Sequence, residues 1–271
     1  MAIPIDEIFG DNNKSSNGGG TLQGEGLRMG IPSIFIRTGG CNLTCPGFGC
    51  SMVSALDKET IITGCDSIHA VNAKHFRGTW DYFDSSAELI QEILKHYKAR
   101  PGGNSEKPDL VFTGGEPLIH HSDPALIGAL EYFVSRGHKV YFETNGTQYI
   151  DFEKHPIYKK CSFSMSVKMS SSGEPKSKRW KPEVINQYLL NTEGSYFKFV
   201  LSKKSLETEK HEVQEFLAQV PTFGIVYCMP LGETSDEIKE NAKAVYTFAA
   251  EQGFRYSDRL HIRIFEALRG V

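Results

Sequence analysis

Three cysteines fall inside one short stretch, Thr38-Gly39-Gly40-Cys41-Asn42-Leu43-Thr44-Cys45-Pro46-Gly47-Phe48-Gly49-Cys50. Three residues separate Cys41 from Cys45, and four separate Cys45 from Cys50. Thiolates packed this closely repel one another unless a cation accepts them. As soft ligands they select zinc, copper(I) or an iron–sulfur cluster. Glycines at 39, 40, 47 and 49 let the backbone wrap tightly around such a centre. The count of three bears on the chemistry. A structural zinc site closes with four protein ligands, whereas a four-iron cluster held by three cysteines leaves one iron open to another molecule. Cys65 or His69 could supply a fourth ligand, which keeps a zinc-binding interaction module without catalytic activity among the readings.

A second motif follows downstream. Val111-Phe112-Thr113-Gly114-Gly115-Glu116-Pro117 sets two glycines at the end of a β-type run, where exposed backbone groups can approach a ligand closely. Taken alone it reads equally as a strand-to-loop turn. His120-His121 come just after it and read as surface histidines, because no third metal ligand lies near them in the sequence.

The elements that must position these motifs alternate. β-type runs are predicted at Ser33–Arg37, Leu110–Thr113, Lys139–Glu143, Ser162–Val167, Tyr196–Leu201 and Gly224–Met229, with a last one at Leu260–Phe265. Helices are predicted between them. One opens on the capping box Ser85-Ser86-Ala87-Glu88 and carries the stripe Leu89, Ile90, Ile93, Leu94 and Tyr97. Another starts at Asp123-Pro124 and stops at Gly137. Three more span Pro182–Leu190, Glu207–Val220 and Ser235–Gln252. Strands spaced by helices pair in parallel through right-handed crossovers. About six such units predict an α/β fold, an incomplete, open parallel β/α barrel, with its chemistry at the C-terminal ends of the strands. The expected organisation is a single domain over residues 1–271. Asp11–Gly20 is a polar, Gly/Ser-rich mobile loop, and 51–80 is an insertion that holds a small local element or covers the site.

Composition excludes several classes. The 271 residues are 39% hydrophobic and 23% charged, ordinary for a globular protein. Lys+Arg 30 against Asp+Glu 33 gives a charge of −3, which is no footprint for nucleic acid. No run reaches the roughly 18 apolar residues that a membrane span needs. The opening MAIPIDEIFGDNN carries acids where a secretory signal has a basic region, so the expected location is cytoplasmic, where clustered cysteines serve metals or catalysis rather than disulfides.

Together, the cysteine loop and GGEP resemble the radical S-adenosylmethionine superfamily, in which the loop after the first strand holds a [4Fe-4S] cluster. Further motifs narrow the resemblance: Leu22-Gln23-Gly24-Glu25-Gly26, Phe35-Ile36-Arg37, Glu143-Thr144-Asn145-Gly146-Thr147 and Ser166-Val167-Lys168. Their order is similar to that of the 7-carboxy-7-deazaguanine synthase family, from about Ile5 to His261. The sequence departs from that pattern in places. The last cysteine interval is four residues where two are common. Ser51-Met52 follows Cys50 where Asp-Thr is common, and Ser-Val-Lys replaces Ser-Pro-Lys. Cys228-Met229-Pro230 stands where the family has Gln-Pro, and the loop before Leu22 is lengthened. A glycyl-radical activating enzyme shares the cysteine loop and a GGEP-like turn, but lacks the Leu22–Gly26 and Glu143–Thr147 motifs.

The resemblance implies a lyase that converts 6-carboxy-5,6,7,8-tetrahydropterin to 7-carboxy-7-deazaguanine with loss of ammonia, through a 5′-deoxyadenosyl radical. The product would feed queuosine or another deazapurine modification. It implies Cys41, Cys45 and Cys50 as cluster ligands, with the Ser51 hydroxyl as the one candidate for a magnesium ion. Gly114, Gly115, Glu116, Glu143, Asn145, Ser166 and Lys168 would meet S-adenosylmethionine. Leu22, Gln23, Gly24, Glu25, Arg37, Thr113 and His261 would meet the pterin. Arg37 suits its carboxylate, since a guanidinium binds one bidentately, and Gln23 with Glu25 suit its donor-rich edge. The implied partners are a flavodoxin- or ferredoxin-type reductant, to which the basic run Lys168–Lys181 is complementary, and a second copy in a homodimer.

Overall fold

The computed structural model describes residues 2–10, 21–97, 107–220, 224–266, 268 and 270. The loop expected at 11–20 lies outside them. The strands are β1 (Ile3–Phe9), β2 (Ser33–Thr38), β3 (Cys50–Val53), β4 (Ile61–Gly64), β5 (Asp81–Phe83), β6 (Asp109–Gly114), β7 (Val140–Thr144), β8 (Ser162–Met165), β9 (Tyr196–Leu201), β10 (Ile225–Pro230) and β11 (Arg255–Tyr256). The helices are α1 (Ile68–Val71), α2 (Ala73–Phe76), α3 (Ser86–Leu94), α4 (Pro124–Ser135), α5 (Lys176–Arg179), α6 (Pro182–Asn191), α7 (Leu206–Leu217), α8 (Ser235–Gln252) and α9 (Leu260–Phe265).

Among the described residues one sheet carries nine strands in the order β11-β10-β9-β8-β7-β6-β2-β1-β5. The run from β2 to β11 pairs in parallel throughout. Such strands need crossover helices, and α3, α4, α6, α7 and α8 lie between them in the chain. The result is the open, mostly parallel α/β sheet that the alternating pattern predicts. The register aligns Arg37 with Thr113 and Thr38 with Gly114, so the cysteine loop and the GGEP turn leave the sheet side by side.

The core explains why these runs are strands. Phe112, Phe142 and Phe163 are fully buried and occupy neighbouring positions on three adjacent strands. Their rings stack with centroids 5.2 and 5.5 Å apart, and Phe163 stacks on Tyr188 of α6 at 4.6 Å. Each such pair adds about 0.5–1.5 kcal/mol beyond the burial of its area.

The antiparallel edge was not visible in the pattern. β1 pairs with β2 on one side and β5 on the other, covering an edge that would otherwise be open. The predicted strand at Leu260–Phe265 is a helix, α9. Its apolar alternation is misleading, because Ile262 is buried while Ile264 is 60% exposed. The Asp258 carboxylate accepts from the Arg259 amide at 2.8 Å and from Arg263 Nε at 3.1 Å, which favours a helical first turn. The sheet has already ended at β11. The stretch 51–80 holds the separate hairpin β3–β4 together with α1 and α2.

α8 starts on a full capping box, Thr234 with Glu237, and ends on Gly253 in the left-handed region. Replacing Thr234 by Ala removes the acceptor for the Glu237 amide and is expected to cost about 1 kcal/mol. Thermal denaturation should then show a midpoint about 2–4 °C lower; an unchanged midpoint would contradict the role of this cap.

Candidate functional site

The rim at the C-terminal ends of β2, β6, β7 and β8 gathers the predicted motifs. A Cβ on Gly115 would collide with the Gly40 carbonyl oxygen, and one on Gly114, whose φ is +126°, with Thr38. Only glycines allow the GGEP turn to lie this close to the cysteine loop. The Glu116 amide donates to Gly40 O at 2.9 Å. The Glu116 side chain is fully buried and reaches the next strand end. Its carboxylate accepts from Thr144 Oγ1 and the Asn145 amide, both at 2.7 Å, and from the Leu118 amide at 3.1 Å. Burial pushes its pKa up to about 7 against the pull of these donors. Asn145 Nδ2 donates to Asn42 Oδ1 at 3.0 Å, tying the third strand end to the cysteine loop as well.

A second carboxylate holds the loop from the other side. Glu174 Oε1 accepts from the Thr44 amide at 2.6 Å, the Thr44 hydroxyl at 2.9 Å and the Cys45 amide at 2.9 Å. Cys45 is buried, with φ at +47°. His120 Nε2 lies 2.8 Å from Gly39 O, so this histidine braces the loop rather than sitting free on the surface. Burial pushes the Cys41 and Cys45 thiols up, and the nearby Glu116 and Glu174 charges add to this. Such thiols ionise only when a cation takes them. A tightly turned loop that stores soft donors in this way fits a thiolate-bound cluster.

Next to the loop, the Ser166 amide donates to Thr144 O at 2.7 Å and Lys168 Nζ to Ser166 Oγ at 3.0 Å. Lys168 also stands near enough to Cys45 for its charge to favour the thiolate. The basic run beyond it is largely spoken for: Lys176 pairs with Glu215 at 2.5 Å, and the buried Arg179 with Glu212 at 3.1 Å.

Most of the other predicted residues meet in a charged mouth beside this loop; Leu22 and Ser51 do not. Gln23 Nε2 donates to Glu143 Oε1 at 3.3 Å, and Thr113 Oγ1 to Glu143 Oε2 at 2.9 Å. Glu143 therefore stands with the predicted pterin residues, apart from Asn145. Gly24 packs against the His261 ring, where a Cβ would clash. Glu25 is buried between Lys198 Nζ at 2.6 Å and Arg259 Nε at 2.9 Å, with His261 Nε2 at 3.9 Å. Burial alone would raise the Glu25 pKa, but Lys198 and then Arg259 overcome it and hold the carboxyl well below the usual range. Arg37 Nε pairs with Glu7 at 2.9 Å, and its NH1 reaches Ser67 Oγ at 3.4 Å. Leu22 is 49% exposed. Ser51 is exposed on the hairpin, its hydroxyl 3.5 Å from that of Thr63.

Lys198, Arg259, Asp66 and Glu174 were not anticipated. Lys198 had one signal, a lone cation inside the apolar strand Tyr196–Leu201. Arg259 stands two residues before His261, and nothing in the sequence marks Glu174.

The profile of a 4Fe-4S single cluster domain matches residues 22–190, which covers the loop, GGEP and the rim described above. Together with the relatives that follow, this match defines a radical S-adenosylmethionine enzyme. The 7-carboxy-7-deazaguanine synthase of Rickettsia prowazekii is 30% identical, over 94% of this chain and 94% of its own length. That of Aquifex aeolicus is 31% identical over 73% and 70%, and that of Halobacterium salinarum 28% over 97% and 91%. The chain belongs to the 7-carboxy-7-deazaguanine synthase family. The crystal structure of QueE from Escherichia coli shares the fold, with a TM-score of 0.60 at 22% identity over 96% of this chain and 95% of that one.

Glu174→Ala would strand two amides and a hydroxyl of the loop. The reconstituted variant is expected to lose iron to a chelator several-fold faster than the parent, followed by the fading of its visible absorbance. Equal rates would show that Glu174 does not hold the loop.

Proposed function

We propose that the protein is a radical S-adenosylmethionine lyase that converts 6-carboxy-5,6,7,8-tetrahydropterin to 7-carboxy-7-deazaguanine with loss of ammonia. The observation that carries this is the meeting of a thiol loop, a GGEP turn and an ion-lined mouth on one sheet rim, in a chain of this family. When bound, the [4Fe-4S] cluster and S-adenosylmethionine supply the one-electron chemistry and the hydrogen abstraction.

The chain's own residues bind and orient. Cysteines of the 41–50 loop and its surroundings hold the cluster. The glycine backbone of 114–115 and the Ser166–Lys168 pair form the S-adenosylmethionine side. In the mouth, Glu25 stays ionised and can accept from the pterin's N–H groups, while Gln23 can both donate and accept. Arg37, whose Nε pairs with Glu7, would offer its remaining N–H groups to the substrate carboxylate. These groups are fixed by one another, so little reorganisation is needed when substrate enters. The reading includes a flavodoxin- or ferredoxin-type protein as electron donor, a homodimeric assembly and a cytoplasmic location. Among the described residues no helix is long and apolar enough to cross a membrane.

Reduced, reconstituted protein incubated with S-adenosylmethionine and the carboxypterin should yield 7-carboxy-7-deazaguanine by mass spectrometry. Deoxyadenosine without the deazaguanine would move the assignment to another radical enzyme. Glu25→Gln leaves Lys198 and Arg259 buried beside a neutral amide. It should lower stability by about 3 kcal/mol and raise KM for the pterin, measured by denaturant titration and steady-state kinetics. A wild-type KM would remove Glu25 from substrate binding.

A further inference from the structure

We propose that the third cysteine ligand of the cluster is Cys65, not Cys50, and that residues 51–64 form a hairpin inserted between the second and third ligands. This deepens the reading above and rests on it for the presence of a cluster. The sequence favours Cys50 because it is near in the chain, but the fold removes that advantage. β3 and β4 pair antiparallel with Cys50 opposite Gly64, Ser51 opposite Thr63, Met52 opposite Ile62 and Val53 opposite Ile61. The chain leaves at Cys50 and returns beside it at Gly64, so Cys65 stands at the base of the hairpin, one residue beyond the residue opposite Cys50.

The two thiols then face different surroundings. Along a strand, alternate residues share a face. Cys50 shares one with Met52, and both pack with Ile62 on the small apolar cluster of Ile68, Phe76 and Trp80. Its Sγ lies 3.9 Å from Phe48 O. This is a half-buried cysteine used as a small hydrophobe. Gly64, by contrast, sits against the residue before the second ligand: a Cβ there would lie 3.0 Å from Thr44 O. Cys65 follows at once, so this end of the hairpin is docked on the backbone immediately before Cys45.

What comes after each cysteine differs as well. Ser51 points to solvent. Asp66 and Ser67 enter the charged mouth, where Arg259 NH2 lies 3.5 Å from Asp66 Oδ2 and Arg37 NH1 reaches Ser67 Oγ. The acid-then-hydroxyl pair that does not follow Cys50, where Ser51-Met52 stands, follows Cys65 directly as Asp66-Ser67.

Iron, sulfide and visible absorbance of anaerobically reconstituted variants test this without any need for turnover. Cys50→Ala should keep about four irons per chain and the parent's electron paramagnetic resonance signal when reduced. Cys65→Ala should lose the four-iron signal, as Cys41→Ala and Cys45→Ala should. Folding is checked by circular dichroism, and Cys65→Ser serves if Cys65→Ala does not fold. Loss of iron from folded Cys50→Ala, or a full cluster in Cys65→Ala or Cys65→Ser, would overturn the assignment. A parent protein that binds no iron would sink the cluster itself rather than the choice of ligand.

Discussion

The Glu116 carboxylate is the tie on which the site depends. It is buried at the end of β6, accepts a hydroxyl and an amide from the end of β7, and its own amide donates to Gly40 at the end of β2. Three strand ends are thereby locked at hydrogen-bond distance, and each carries a different one of the predicted motifs. Parallel pairing alone would align the strands but leave the loops free to splay. Burial makes the ionised carboxylate costly, so the donors from Thr144, Asn145 and Leu118 are not decoration. Losing any one of them leaves charge in a dry place. The same logic runs through Glu174, whose single oxygen gathers three donors of the cysteine loop.

A loop built this way is rigid before it holds metal. Its buried thiols resist ionisation because of burial and neighbouring carboxylates, and a cluster reverses that balance by supplying positive charge. Structure and metal thus reinforce each other: the backbone contacts fix where the sulfurs stand, and the metal satisfies what the backbone has desolvated.

How much of this was legible in the sequence follows from distance along the chain. The cysteine loop, GGEP and Glu143–Thr147 are each contiguous, and each begins where a β-type run ends, so motif and location could be read together. The partners of Glu25 could not. Lys198 and Arg259 stand 173 and 234 residues away, and only the sheet order brings them to it. Glu174 is 130 residues from Thr44, in a loop without periodicity. The Leu260–Phe265 run alternates without being a strand for a related reason: an alternating run becomes a strand only when its backbone pairs with a sheet edge, and here the sheet ends at β11. The third cysteine shows the same limit. Nearness in sequence points to Cys50, and the hairpin on which the proposal of Cys65 rests becomes visible only in the pairing of β3 with β4.

The mouth shows why charges are placed where an apolar lining would be cheaper to build. Glu25 lies between two buried cations, and a buried ionic group of this kind adds little net stability over a hydrophobic packing. Its use is orientation. Lys198 holds one carboxylate oxygen and Arg259 the other, so the remaining lone pairs keep a fixed direction. Glu143 is held in the same manner by Gln23 and Thr113. A ring that presents N–H donors in the matching directions completes these acceptors. One that lacks them leaves desolvated charge unanswered, a penalty far larger than that for a missing methylene. On the proposed function, discrimination among heterocycles of similar shape would rest on the two cations behind Glu25 as much as on Glu25 itself, because without them the carboxylate would either turn away or take up a proton and read the opposite pattern.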